Sequence, residues 1–277
     1  MAAAAEEPLP HRWLYPSAVP QGPDDALAVL TDAQVDEYHR TGCCVLDGLW
    51  PAALVARVKA DAERIFRGGG EQTAAHSGLN SNLMSFPSNA SDAFNELTLH
   101  PRLLTAMSQL LRLPPTELRL AQSELWEKSA ANNNHGNSDQ RTHMDFINHT
   151  LLVPPPQPEL ESVVMIAYWD DVEDCDGPTH VVPQEGPDDP AYAWPGARRG
   201  RHPYAHDPPY LAYSGEGGYE QRQPAEAWLA EHHPALGAFR QMLYERERAV
   251  HFRVGTVLLY RHDTWYVCCA VAAAAAG

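Results

Sequence analysis

The spacing of apolar residues changes at Pro114-Pro115, and that change limits the folds open to this chain. Before the two prolines the apolar residues recur three and four apart. Leu54, Val55, Val58 and Ile65 form one such stripe, and Leu103, Leu104, Met107, Leu110 and Leu111 form another. That period puts one face of a helix on a core. After the prolines the pattern is that of strands. Residues 118–128 alternate, Val163 to Trp169 is a near-continuous apolar run, and Thr179 to Val182 and Arg253 to Tyr260 are further short runs. Helices gathered ahead of strands, with long loops between the strands, predict an α+β protein. Its core should be a β-sandwich or barrel with a helical N-terminal buttress.

Local signals set the element boundaries. Thr31 with Gln34 three residues on reads as a capping box, and Leu30 with Val35 as the hydrophobic staple that accompanies one. Gly42 is the expected stop. Pro51 opens a second helix, where its missing N–H costs nothing, and Gly68-Gly69-Gly70 ends it. Residues 225–247 read as helical with an interruption at Pro234. Residues 1–29, rich in Ala, Pro and Asp, are expected to be a flexible arm. Residues 183–223 are rich in Pro, Gly and Tyr without periodicity, as in a lid. One domain is therefore expected over 30–265. It divides into a helical part, 30–115, and a β core, 116–265, that carries a lid or insert over 183–247. The final residues, 266–277, form a low-complexity tail.

Composition excludes several roles. A net charge of −16 over 277 residues argues against nucleic acid and against anionic membrane surfaces, since both partners are polyanions. Five cysteines, four of them in two adjacent pairs, match neither a disulfide framework nor a zinc spacing. A reducing compartment, the cytoplasm, is expected. The first residues have neither the basic start nor the apolar run of a leader, and no stretch reaches membrane-spanning length. Phosphate-binding and nucleophile-elbow motifs are missing, so P-loop, Rossmann and hydrolase readings have no support.

One short stretch carries chemistry, Arg141-Thr142-His143-Met144-Asp145-Phe146. In a strand, residues two apart face the same side. His143 and Asp145 would then offer an imidazole and a carboxylate to one point. That pair is two thirds of the 2-His-1-carboxylate face that leaves positions open on non-heme iron(II). The tripeptide alone is weak, because a chain with 14 His yields about one H-x-D by chance.

Its context is more specific. In order along the chain come Leu30-Thr31-Asp32-Ala33-Gln34, Gly42, Val45-Leu46-Asp47-Gly48-Leu49, Lys128, His143-x-Asp145 and Trp169. Asp176-Gly177-Pro178-Thr179-His180-Val181-Val182-Pro183 follows, and then Gly255 through Trp265. Together these blocks resemble the phytanoyl-CoA dioxygenase (PhyH) family of Fe(II)/2-oxoglutarate oxygenases over roughly residues 30–265. The resemblance implies a double-stranded β-helix of the jelly-roll or cupin type. Fe(II), 2-oxoglutarate and O2 would meet at its mouth, with His143 and Asp145 on the metal. Lys128 would line the co-substrate pocket with Trp169 packed beside it, and the product would be a hydroxylated small organic substrate.

The chain departs from the family at one boundary. Where the resemblance places the second histidine ligand, the sequence has Tyr266. Nothing basic follows Arg261 to pair with the far carboxylate of 2-oxoglutarate, and the last closing strands are expected to be absent. His262 could stand in as the third ligand, or Tyr266 could coordinate as a phenolate. His180 is expected in the core or at the rim, and Arg198, Arg199, Arg201 and His202 on a solvated lid. The readings that follow are an oxygenase, a catalytically impaired or non-catalytic member of the family, and a metal-binding sandwich of the cupin-isomerase kind. An unclosed sheet edge would also favour oligomerisation.

Overall fold

The computed structural model describes residues 12–24, 26–67, 83–126, 142, 162–172, 177–192, 227, 230–232 and 234–268. Four helices lie ahead of Pro114-Pro115, as the spacing predicts. Helix α1 spans Asp32–Thr41. Its capping box is complete: Gln34 N donates to Thr31 Oγ1 at 3.3 Å and Thr31 N donates to Gln34 Oε1 at 3.0 Å. Gly42 ends it at φ +85°, in the left-handed region. Helix α2, Ala52–Arg67, follows Pro51, whose carbonyl accepts from Leu54 N and Val55 N. Helices α3 (Asp92–Thr98) and α4 (Pro101–Leu111) complete the group, capped by Ser91 and His100.

Among the described residues the strands run from β1 (Trp13–Leu14), β2 (Ser17–Ala18), β3 (Cys43–Asp47), β4 (Leu83–Ser85) and β5 (Glu124–Trp126) to β6 (Val163–Ala167) and β7 (Thr179–Val182). Helix α5, Pro234–Arg246, intervenes before β8 (Arg248–Val250), β9 (Val257–Arg261) and β10 (Trp265–Cys268). Among the described residues they form two four-stranded sheets, ordered β1-β8-β7-β10 and β2-β3-β9-β6, and the hairpin-like pair β4-β5.

The two larger sheets pack face to face. Alternate residues of the second sheet, Cys43, Val45, Leu258 and Tyr260, share one buried cluster with Val181, Val250 and Tyr266 of the first. The opposite residues of the second sheet, Cys44, Leu46, Val257 and Leu259, pack instead on α1, α2 and α4. Val163, Met165 and Ala167 pack against one cluster and Val164 and Ile166 against the other, which explains why this half-buried strand shows no alternation. The outer face of the first sheet lies under α5, where Phe239 meets Trp265 edge-on with ring centroids 5.8 Å apart. The order is thus helices, sheet, sheet, helix, a mixed α/β arrangement around a sandwich core.

Three sequence expectations are corrected. The expected flexible arm is ordered over residues 12–24: β1 pairs in parallel with β8 and β2 with β3, so this segment joins both sheets. Its composition hid that, because each contact is two residues long and mostly backbone. The strand expected from residue 118 begins only at Glu124, after a 3-10 turn at Pro115–Glu117. The last strand is not the one ending near Tyr260. Residues Trp265–Cys268 pair antiparallel with β7, Trp265 opposite Val182 and Cys268 opposite Thr179. The boundary expected at 266 therefore falls inside a strand, and Tyr266 and Val267 are core residues.

Candidate metal centre

The turn from β9 into β10 is the best fixed part of the candidate site. Arg261, the last residue of β9, reaches three ways. Its Nε donates to Asp263 Oδ1 at 2.9 Å, one terminal nitrogen to the carbonyl of His39 at 3.3 Å and the other to Gln184 Oε1 at 2.9 Å. Thr264 Oγ1 donates to Gly42 O at 2.9 Å. A Cβ on Gly42 would lie 2.7 Å from that hydroxyl, so only glycine lets α1 end so close to the turn. Gln184 N donates to Thr41 O at 2.8 Å, which ties the segment after β7 to the same place.

Strand alternation then decides where each side chain of β10 goes. Trp265 turns toward α5, and its indole N–H donates to Ala191 O at 2.8 Å. Tyr266 turns the other way, between the sheets, 8% exposed, with its ring centroid 4.9 Å from that of Tyr260. The Tyr192 hydroxyl donates to Val182 O at 2.5 Å and accepts from Trp265 N at 3.4 Å, closing β7 against β10 at this end. Burial raises the Tyr192 phenol far above its ordinary range, so it stays a donor.

The candidate residues are not all brought together. His143, Asp145 and Lys128 lie outside the described residues. The residue before His143, Thr142, is described and fully buried: its carbonyl accepts from Arg240 at 2.6 Å and its hydroxyl donates to Glu247 Oε1 at 2.5 Å. His262 sits in the β9–β10 turn with Nδ1 bonded to Ser162 Oγ, at the start of β6. Trp169 is at the other end of that strand pair. Val163 is opposite Arg261 and Ala167 is opposite Val257, so His262 and Trp169 flank opposite ends of a five-residue ladder. Trp169 stacks on Trp50, ring centroids 6.2 Å apart, and its carbonyl accepts from Lys59 at 2.7 Å, on the helical side. Trp169 also packs against the cluster of Leu125, on the strand that leads toward Lys128.

His180 shares its face with its partners Ala249 and Val267, the face of Trp265, and so points away from Tyr266. It is a core residue, as expected. Thr142, Arg240, Glu247 and Tyr192 were not legible as site residues. Thr142 stands next to the H-x-D without being part of it, the other three lie in stretches without a motif, and only the packing of α5 and of the segment after β7 brings them here.

The phytanoyl-CoA dioxygenase (PhyH) family model matches residues 38–266. The chain belongs to the phytanoyl-CoA dioxygenase family. No curated protein matches it by sequence. Similar solved structures include EctD from S. alaskensis with 2-oxoglutarate and 5-hydroxyectoine, 18% identical at a TM-score of 0.55, covering 91% of this chain and 74% of that one. The non-heme alpha ketoglutarate dependent carbocyclase SnoK from nogalamycin biosynthesis is 16% identical at 0.54, covering 88% and 80%. HygX from Streptomyces hygroscopicus, with nickel and 2-oxoglutarate bound, is 16% identical at 0.50, covering 88% and 83%. At these identities the likeness is one of fold.

The donor types of this PhyH-family chain fit an iron centre in part. His143 and Asp145 supply an imidazole and a carboxylate, the hard and borderline donors iron(II) takes. The place where the resemblance puts the third ligand faces inward on β10 and carries the phenol of Tyr266, packed on Tyr260. That group does not complete a 2-His-1-carboxylate set. Among the described residues no three His, Cys, Asp or Glu side chains converge on a point.

Proposed function

We propose that this chain is an Fe(II)/2-oxoglutarate-dependent dioxygenase that hydroxylates a small organic substrate, with 2-oxoglutarate converted to succinate. The observation that carries this reading is the extent of the family match, from residue 38 to residue 266. It runs through the H-x-D and ends on the strand that faces the sandwich interior. Structures of the same fold hold 2-oxoglutarate. His143 and Asp145 are the ligands in this reading, and Lys128 is the basic group beside the co-substrate. The protein's part is to bind, to orient and to exclude water. The sandwich supplies the last of these through an interior of Tyr260, Tyr266, Phe252 and Leu258.

We place the chain in a reducing compartment such as the cytoplasm. Cys43 and Cys44 are both free and buried, and burial pushes the Cys43 thiol up to about 12, which makes it unreactive. No helix of the described residues is long and apolar enough to cross a membrane.

Tyr266 favours a second reading, a family member that binds small molecules without turnover. Succinate release from 2-oxoglutarate, with Fe(II) and no added substrate, separates the two. The dioxygenase reading expects release by the native chain. Release by Tyr266→His alone supports the second reading, and release by neither variant overturns the first.

A further inference from the structure

Helix α5 grips the residue that precedes the H-x-D from two sides. Arg240 is fully buried. One terminal nitrogen donates to the Thr142 carbonyl at 2.6 Å and the other to the Tyr244 hydroxyl at 2.8 Å, with the guanidinium carbon 5.3 Å from the Tyr244 ring centroid. Glu247, one residue past the helix, accepts the Thr142 hydroxyl at 2.5 Å. Main chain and side chain of one threonine are thus both held, by residues 98 and 105 positions away in sequence.

Burying an arginine is costly, and cores of this size manage with apolar side chains at such positions. The guanidinium is not needed to fill space under the first sheet, where Phe239 and Leu243 of the same helix are already buried. Its rigid fork suits a task that needs direction, fixing a carbonyl and through it one peptide plane. That peptide plane leads into His143.

We propose that Arg240 and Glu247 are positioning residues for the H-x-D segment, setting where the chain enters it. The link to metal binding rests on the dioxygenase reading; the grip on Thr142 does not. Hydrogen exchange followed by mass spectrometry on the metal-free full chain reads the grip directly, and Co(II) titration reads its consequence. Arg240→Met removes the donors and keeps the length. It should raise exchange in a peptide spanning 142–146 at least tenfold and leave the α2 peptide, 52–67, unchanged. It should also weaken Co(II) by roughly 10–100-fold, as the loss of groups that orient a ligand does. Arg240→Lys, which can still donate to the carbonyl, should recover part of both.

Unchanged exchange at 142–146, or an equal rise everywhere, overturns the proposal, since the second is what a merely structural arginine would give. If Arg240→Met does not fold, Thr142→Val decides. It keeps the shape and removes only the hydroxyl bond to Glu247, so it should raise exchange in the same peptide several-fold, and wild-type exchange there overturns the proposal. A native chain that takes no Co(II) at all counts against the dioxygenase reading, while the exchange result still decides the grip.

Discussion

Replacing Tyr266 by histidine tests the reading of β10 most directly. In the metal-free protein the change is destabilising. Tyr266 is 8% exposed and its ring meets that of Tyr260, itself 1% exposed, at 4.9 Å. Loss of that aromatic pair costs about 1 kcal/mol. The smaller, more polar ring gives up roughly another 1 kcal/mol of apolar burial. About 2 kcal/mol in a chain of this size lowers the melting temperature by roughly 4–8 °C. Metal should reverse this. With Co(II) at about 100 times its dissociation constant for the variant, binding returns about 2.7 kcal/mol, close to the whole loss. If the native site binds about 100-fold more weakly, the same Co(II) concentration stabilises it by only about 0.4 kcal/mol. The assay is thermal unfolding by near-UV circular dichroism with chelator and with Co(II), on the native chain, Tyr266→His and Tyr266→Phe. Tyr266→Phe should show the same small response to Co(II) as the native chain, because phenylalanine offers no donor either. A native chain stabilised as much as Tyr266→His refutes the reasoning, since the third donor must then come from elsewhere. A Tyr266→His variant blind to Co(II) refutes it too, since position 266 is then out of reach of the H-x-D.

Three further outcomes follow from the packing. Asp189→Ala should cost about 3 kcal/mol in urea unfolding, because the buried carboxylate receives both terminal nitrogens of Arg246 and the amides of Glu185 and Ala191. Burial alone would raise the Asp189 pKa, but those bonds outweigh it and hold the group below its ordinary value. Its contribution is therefore complete above about pH 4, the unfolded value, and fades as the pH falls through the lower folded value; the alanine variant should lack that acid limb in a pH series of unfolding midpoints. Gly42→Ala combines φ +85° with a Cβ 2.7 Å from Thr264 Oγ1, so a loss of about 2 kcal/mol or more is expected by chemical denaturation, and a neutral result would mean the turn yields freely. Trp169→Ala should cost about 3 kcal/mol by loss of its stack on Trp50, and calorimetry decides its role: a tenfold loss of 2-oxoglutarate affinity puts it beside the co-substrate, and unchanged affinity keeps it to the core.

The helical half was legible because its signals are local. The Thr31–Gln34 box, the Gly42 stop and the stripes of α2 and α4 each lie within one or two turns of sequence, and each is where the spacing puts it. The strands with a full apolar run, β6 and β9, were legible for the same reason. The missed pieces depend on distant partners. Trp13-Leu14 and Ser17-Ala18 are strands only because β8 and β3 offer free backbone groups to them. Trp265–Cys268 is one because β7 does. The site divides in the same way. Residue 266 could be singled out from the order of blocks around it, but its inward position on a strand could not, because the pairing with β7 makes that strand. The stack of Trp169 on Trp50 could not be read, because the two rings are brought together only by packing across the fold. The grip of Arg240 on Thr142 has no trace in either local sequence.

The closeness of α1 to the β9–β10 turn bears on how the molecule comes into being. Thr264 Oγ1 binds Gly42 O across 222 positions of chain, and the β3–β9 ladder starts from the same point. A ribosome therefore releases the helices long before it makes the strand that covers them. Until β9 emerges, the apolar faces of β3 and α2 have only each other and any chaperone at hand. Closure of the sandwich is then a late event on a nearly complete chain, which makes this a slow folder by topology and one whose yield should respond to translation speed and to chaperone supply more than to any single core residue.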